Sequence, residues 1–492
     1  MSEYRRIATL KTASELQARL ITPSGPAIVS QNPSAKSSFA PLPAIPEQAD
    51  PNGILGHPFT HDGRRIGNRF AILPMEGWDA TEDGKPTDLT IRRWKRFGAS
   101  GSKLIWGTEA VAVRHDGRAN PNQLVLSDAN LPSIADLRKL MVEEHRSAFG
   151  TADDLVVGLQ LTHSGRFARP NKKDRFEPFC ALENPILDRR YNIQSSDHMA
   201  SDADLERLIG DFVTAAIRAQ KAGFDFVDLK HCHGYLGHEL LAARHRPGKF
   251  GGSLENRMRF LREIVSGIRA NAPGLRMGVR LSIFDTIPHK PGADRVGVPD
   301  GDPEIYDLAF GPMRADGGID LTETVGFLEA CRDLGITWIC TTAGSPYYTP
   351  HLQRPAQFPP SDGYLPPEDP CVGVARQVSA TAKLKELLPE LLFVGSGYSF
   401  LQDWLPQVGE AVVGSGMADM IGLGRMILAY PELPADFLSG RGLDRKRICR
   451  TFSDCTTAPR KGMISGCFPL DPFYKIMPEA EIVRSYRAGV GP

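Results

Sequence analysis

No stretch of this 492-residue chain approaches the roughly 18 consecutive apolar residues that a membrane-spanning helix needs, so no membrane partner is expected. An excess of either charge is also missing, since 58 Lys plus Arg balance 58 Asp plus Glu. Nucleic acids and acidic lipid surfaces recruit basic chains, and neither is expected as a partner. Cysteine is sparse, with eight residues at irregular spacing. That is too few for a disulfide scaffold and points to a reduced, cytoplasmic protein. The N-terminus, MSEYRRIATLKTASELQARL, carries charges but no apolar signal core, so a secretory leader is not expected. A doubly wound sheet is the nearest alternative architecture, but the Gly-rich turn expected after its first strand is absent.

What the chain does contain begins with a Pro- and Ser-rich arm or linker over 1–60. From Arg69 onward, strand-like runs alternate with amphipathic windows. The runs are RFAILPME, KLIWGTEAVAV, LVVGLQLTH, FDFVDLKHCH, RMGVRLSIF, ITWICTTAG, LLFVGSGYS and ADMIGLGRMI. A helical pattern fills each of the seven gaps between these eight runs, which predicts an α/β fold of the (β/α)8 TIM-barrel type. The expected division is an arm over 1–60, a barrel over 61–435 and an extension over 436–492 that packs on the barrel. Two long inserts, 164–202 and 345–370, have loop composition and are expected over the active site.

In a barrel the C-terminal strand ends line one mouth. Here those ends carry Pro74, Met75 and Glu76, then Thr108 to Ala110, Gln160 to His163, Lys230 to Tyr235, Arg280, Thr341 and Thr342, and finally GSG (395–397) and GLGR (422–425). Glycine clusters on the last two strands suit a phosphate, because backbone N–H groups can approach it closely. Arg425 adds a charge-assisted fork.

The segments PME, QLTHSGR, HGYL, FGGSLENRMRF, VRLS, VGSG and IGLGR together resemble the ordered motif set of the old yellow enzyme family of flavin-dependent ene-reductases. The match runs over 68–431, about three quarters of the chain, and GGSLENR preceded by HGYL is its most specific part. The resemblance implies a barrel with non-covalent FMN that takes hydride from NAD(P)H and passes it to an activated alkene. It implies that Gln160 holds the pyrimidine edge and that Arg280 sits on the N1–C2=O side. Pro74, Met75 and Ala110 would line the ring, and Gly395, Gly397, Gly424 and Arg425 would hold the phosphate. His233 would bind the substrate oxygen and Tyr235, two residues on, would be the general acid.

Two residues depart from that pattern. Lys230 stands where the family usually has histidine; it could bind an enolate oxygen, select a carboxylate, or form a Schiff base. Glu76 replaces a small polar residue near flavin C4=O, where a carboxylate is unfavourable unless it is protonated or paired. Reaching one ligand from both Lys230 and His233 requires a bend in the backbone. His231 and Cys232 read as packing residues, and His163 either approaches the site or is structural. Cys449, Cys455 and Cys467 (C-x5-C-x11-C) resemble an iron–sulfur segment, but Phe452 stands where its fourth cysteine belongs. Three thiolates do not complete the usual cluster, so no iron–sulfur cluster is expected and the three are weak metal candidates. The function expected is FMN-dependent reduction of an α,β-unsaturated carbonyl or a similar small molecule. The alternatives are the same barrel working oxidatively, a Lys230 Schiff-base lyase, and a non-enzymatic scaffold. The arm could cover a barrel end or reach another copy, which leaves a homo-oligomer open.

Overall fold

The computed structural model describes residues 4–20, 41–314, 317–361 and 363–487. Most of the Pro/Ser-rich stretch, 21–40, lies outside them.

Eight strands close into a parallel barrel: β1 (Phe70–Ile72), β2 (Leu104–Ile105), β3 (Val156–Thr162), β4 (Phe226–Leu229), β5 (Arg276–Ser282), β6 (Trp338–Thr342), β7 (Leu392–Gly395) and β8 (Met420–Leu423). Each pairs with the next, and Ile421 opposite Phe70 brings β8 back to β1. The strands are buried on both faces, which is why they read as continuous apolar runs. Helices fill the gaps between them, as their amphipathic spacing predicts. One, Arg259–Asn271, buries Phe260, Leu261, Ile264, Val265 and Ile268 along a single face. Another, Asp202–Lys221, starts at Ser201, whose hydroxyl accepts from the Asp204 amide while the Asp204 carboxylate accepts from the Ser201 amide. Among the described residues no helix is long and apolar enough to cross a membrane.

Side chains fill the lower barrel. Trp106, Phe226 and Trp338 meet with ring centroids 5.2 and 5.4 Å apart. Gly158 is needed beside them, because a Cβ there would lie 2.3 Å from the Phe226 ring. The hairpin Phe59–His61/Arg64–Ile66 closes this end, placing Ile66 and Phe59 against the same cluster. The arm before it also packs on the barrel: Ile7, Leu10 and Leu16 are buried, and Arg19 forks onto Asp369 at 2.7 and 3.0 Å.

The run KLIWGTEAVAV, expected as one strand, is broken. It forms β2 and a separate short strand, Ala110–Ala112, which pairs with β3 further up. Thr108 sits between them at φ +45°. This kink turns Glu109 away from the mouth and into a buried ion cluster.

Candidate active site

The C-terminal strand ends surround a cleft enclosing ≈1190 Å³, its open mouth included. Of the residues singled out from sequence, Pro74, Met75, Glu76, Gln160, Lys230, His233, Tyr235, Arg280, Gly397, Gly424 and Arg425 line it. Two expected residues lie behind the wall. Ala110 is buried in its short strand, where its carbonyl accepts from Gln123 Nε2 at 2.8 Å. Gly395 ends β7, and its neighbour Ser396 lines the cleft instead.

The two departures meet each other. Lys230 Nζ donates to Glu76 Oε1 at 2.8 Å. The same ammonium lies 3.8 Å from the centroid of the Tyr235 ring. Tyr235 donates its hydroxyl proton to Glu76 Oε2 at 3.1 Å, and its oxygen lies 3.1 Å from the hydroxyl of Tyr347. Burial first, then the Glu76 carboxylate, holds the Tyr235 phenol well above its ordinary pKa, so it carries a proton at neutral pH.

The backbone does not stay extended here. His233 and Gly234 take φ of +68° and +76°, and Tyr235 caps the helix Leu236–Ala242. This turn, rather than strand alternation, brings Lys230, His233 and Tyr235 into one cleft. Ser282 Oγ accepts from the His233 amide at 3.0 Å, and Ser345 Oγ donates to the His233 carbonyl at 2.7 Å. His238 Nδ1 accepts from the Gly234 amide at 3.0 Å. Burial, reinforced by Arg280 and Lys230, keeps the His233 imidazole neutral.

On the opposite side Gln160 Nε2 donates to Asp228 Oδ2 at 2.5 Å, and the Arg280 amide donates to Asp228 Oδ1 at 2.7 Å. Asp228 therefore fixes which end of the Gln160 amide is committed inward, leaving its oxygen as the free acceptor. Burial pushes the Asp228 carboxyl up to about 6. Arg280 Nε and Arg425 Nη1 are buried polar atoms with no partner in the protein, on two cations that line the cleft. An unpaired buried donor is costly, and these two belong to side chains that line the cleft, where an anionic ligand can meet them. Gly397 at φ +97° and Gly424, with only Met75 Sδ within 4 Å of a would-be Cβ, leave backbone open to that ligand.

The walls come from elsewhere in the chain. Arg93 bridges Asp79 (2.5 Å) and Glu109 (2.7 Å), and Glu109 also accepts from the Gly77 amide at 3.0 Å, which pins the loop carrying Glu76. Tyr347 stacks face to face on Phe167 at 4.0 Å. The C-terminal extension contributes Cys455, Thr456, Pro459, Arg460 and Ser465 to the cleft. Ser465 donates its amide to the Gly77 carbonyl at 2.9 Å, and Arg460 Nη2 donates to the Pro346 carbonyl.

His163 is buried outside the cleft with its pKa lowered to about 3, accepting from the Gly165 amide at 3.1 Å. His231 packs on Phe327, and Cys232 is fully buried. Cys449, Cys455 and Cys467 line one small cavity beside Arg425 as free thiols. Phe452 stacks on Phe358 at 5.4 Å. Among the described residues no group of three or more His, Cys, Asp or Glu is arranged to hold a metal ion.

A closed barrel whose mouth offers Arg280 and Arg425, each with an unpaired nitrogen, two glycine turns and a protonated phenol is a site of the enzyme type, suited to an anionic ligand. Residues 55–297 match the NADH:flavin oxidoreductase / NADH oxidase family. The chain is 32% identical over 393 residues to an NADPH dehydrogenase of Bacillus pumilus, covering 77% of this chain and 93% of that one. It is 26% identical over 381 residues to an NADPH dehydrogenase of Bacillus subtilis, covering 76% and 91%. The chain belongs to this family. Its fold is similar to that of the Zymomonas mobilis old yellow enzyme homologue, with a TM-score of 0.53, 20% identity, and 79% and 93% of the two chains covered. It is also similar to 2-naphthoyl-CoA reductase, with a TM-score of 0.62 and 18% identity, covering 86% of this chain and 57% of that longer one. Family membership makes the protein an NAD(P)H-dependent flavin oxidoreductase whose cofactor is FMN. Arg280, Arg425 and the Gln160 oxygen fit such a group.

Proposed function

We propose that the protein reduces an activated C=C bond of a small-molecule acceptor such as an α,β-unsaturated carbonyl. The FMN supplies hydride received from NAD(P)H. Arg425 and the backbone at Gly397 and Gly424 would hold its phosphate, and Gln160 and Arg280 its ring edge, with Pro74 and Met75 in the same cleft to line the ring. His233, neutral and fixed through its backbone, donates to the acceptor oxygen and supports the charge that develops there. Tyr235 donates its proton to the α-carbon.

The observation that carries this reading is the Tyr235 hydroxyl, held protonated in the cleft beside neutral His233. The Schiff-base alternative needs a free amine, whereas Lys230 is paired with Glu76 at 2.8 Å. With Lys230 so held, its charge acts on Tyr235 and on the acceptor oxygen from a fixed position. Anaerobic bleaching of the purified yellow protein by NADPH or NADH, then recovery of colour on adding cyclohexenone, tests the proposal. Bleaching without recovery across a panel of enones would count against C=C reduction and favour the oxidative reading.

A further inference from the structure

The Tyr235 hydroxyl has one proton and two polar neighbours. Glu76, paired with Lys230, is a carboxylate and only accepts. The Tyr235 proton therefore points to Glu76, and in the 3.1 Å contact between the phenols Tyr347 is the donor. Lys230 stands over the face of the Tyr235 ring, 3.8 Å from its centroid, and its hydrogen bond goes to Glu76. The one proton aimed at the Tyr235 oxygen is thus that of Tyr347.

The loop fixes this contact firmly. Tyr347 stacks on Phe167 with the rings 4° from parallel. Its amide donates to Ser345 Oγ at 3.2 Å, and its carbonyl accepts from the Tyr191 hydroxyl at 2.7 Å. Ser345 also holds the His233 carbonyl, so one hydroxyl ties Tyr347 to the turn that presents His233 and Tyr235.

We propose that Tyr347 is a proton-relay residue that restores the proton of Tyr235 in each turnover. The inference rests on the C=C-reduction reading. When the α-carbon takes its proton, a C–H bond forms and the Tyr235 O–H bond breaks. The Tyr347 O–H bond then breaks as a new one forms on Tyr235, and a solvent proton reaches Tyr347 through the mouth. One proton is consumed and no further oxidant or reductant is needed. Tyr235 lies against Glu76, which disfavours its phenolate; burial raises Tyr347 to about 12, with Arg169 and the contact with Tyr235 opposing the rise and Glu76 and Tyr191 adding to it.

The test is stopped-flow on the FMN-loaded protein. Tyr347→Phe keeps the ring stack and is expected to retain FMN. It should slow re-oxidation by cyclohexenone roughly tenfold more than it slows reduction by NADPH, the worth of one hydrogen bond to a charged acceptor. It should also change the solvent isotope effect on re-oxidation, and add no further loss to Tyr235→Phe. Equal slowing of both half-reactions, or a full extra loss on top of Tyr235→Phe, would overturn the relay and leave Tyr347 a packing residue. A second measurement separates this from failure of the parent reading. Tyrosinate absorbance in a pH titration should show Tyr235 ionising at higher pH once the Tyr347 hydroxyl is gone. If the wild-type protein reduces no enone but Tyr347→Phe shows this shift relative to it, C=C reduction is contradicted and the phenol pair is upheld. Absence of the shift overturns the pair.

Discussion

Lys230 and Glu76 lie 2.8 Å apart at the centre of the cleft, with 3% and 19% of their side chains exposed. Each would be out of place alone, a buried cation against a phenol ring and a carboxylate inside the cleft, and together their charges cancel. Breaking a fully buried pair by removing one partner costs about 3–5 kcal/mol. Because Glu76 keeps some solvent, Lys230→Met and Glu76→Gln should each cost ~2 kcal/mol in denaturant unfolding. The double variant should recover much of that. Additive losses would show that the two side chains do not depend on each other.

Tyr235→Phe should spare flavin reduction by NADPH and lower enone turnover by roughly 10²–10⁴, the usual worth of a positioned acid. Separate measurement of the two half-reactions checks it. A matching fall in both would assign Tyr235 to binding rather than proton transfer.

Asp228 sets the orientation of the Gln160 amide, so Asp228→Asn should turn that amide around and present NH₂ to the cleft where the wild type presents oxygen. FMN binding should weaken by ~1–3 kcal/mol, the cost of an unmatched buried polar contact, while the barrel stays folded. Flavin fluorescence titration of the apo-protein measures this, and unchanged affinity would remove Gln160 from the ring-edge site.

Asp285 is buried, accepting from Tyr348 at 2.8 Å and Thr349 at 3.0 Å, and burial raises its carboxyl from 3.8 to about 7. The folded protein thus binds this proton more tightly than the unfolded chain does. The resulting stability is fully present below about pH 4 and is lost as pH rises through about 7. Relative to wild type, Asp285→Asn should therefore look least stable near pH 4–5 and gain ground by pH 8. Paired thermal melts across that range check the sign.

The barrel was legible because its strands, buried on both faces, leave long apolar runs, and because the glycine clusters and HGYL fall where those runs stop. The kink at Thr108 was not: a positive φ at threonine leaves no mark in composition, so two strands read as one. Asp228 could have been found, since alternation puts it on the same face as Lys230 within an otherwise apolar strand. Tyr347 and Arg460 could not. They reach the cleft through loop and extension paths set by long-range contacts, such as that of Ser465 with Gly77, which no local spacing encodes. The pairing of Glu76 with Lys230, 154 residues apart, was likewise invisible except as two separate oddities.

The most direct measurement is the fate of label in the product. With NADPH deuterated at the transferred position and the reaction run in ordinary water, the account predicts an enone reduced at its C=C bond, with deuterium on the β-carbon and a solvent proton on the α-carbon. Deuterium on the carbonyl carbon, or a reduced flavin that no enone re-oxidises, would contradict it.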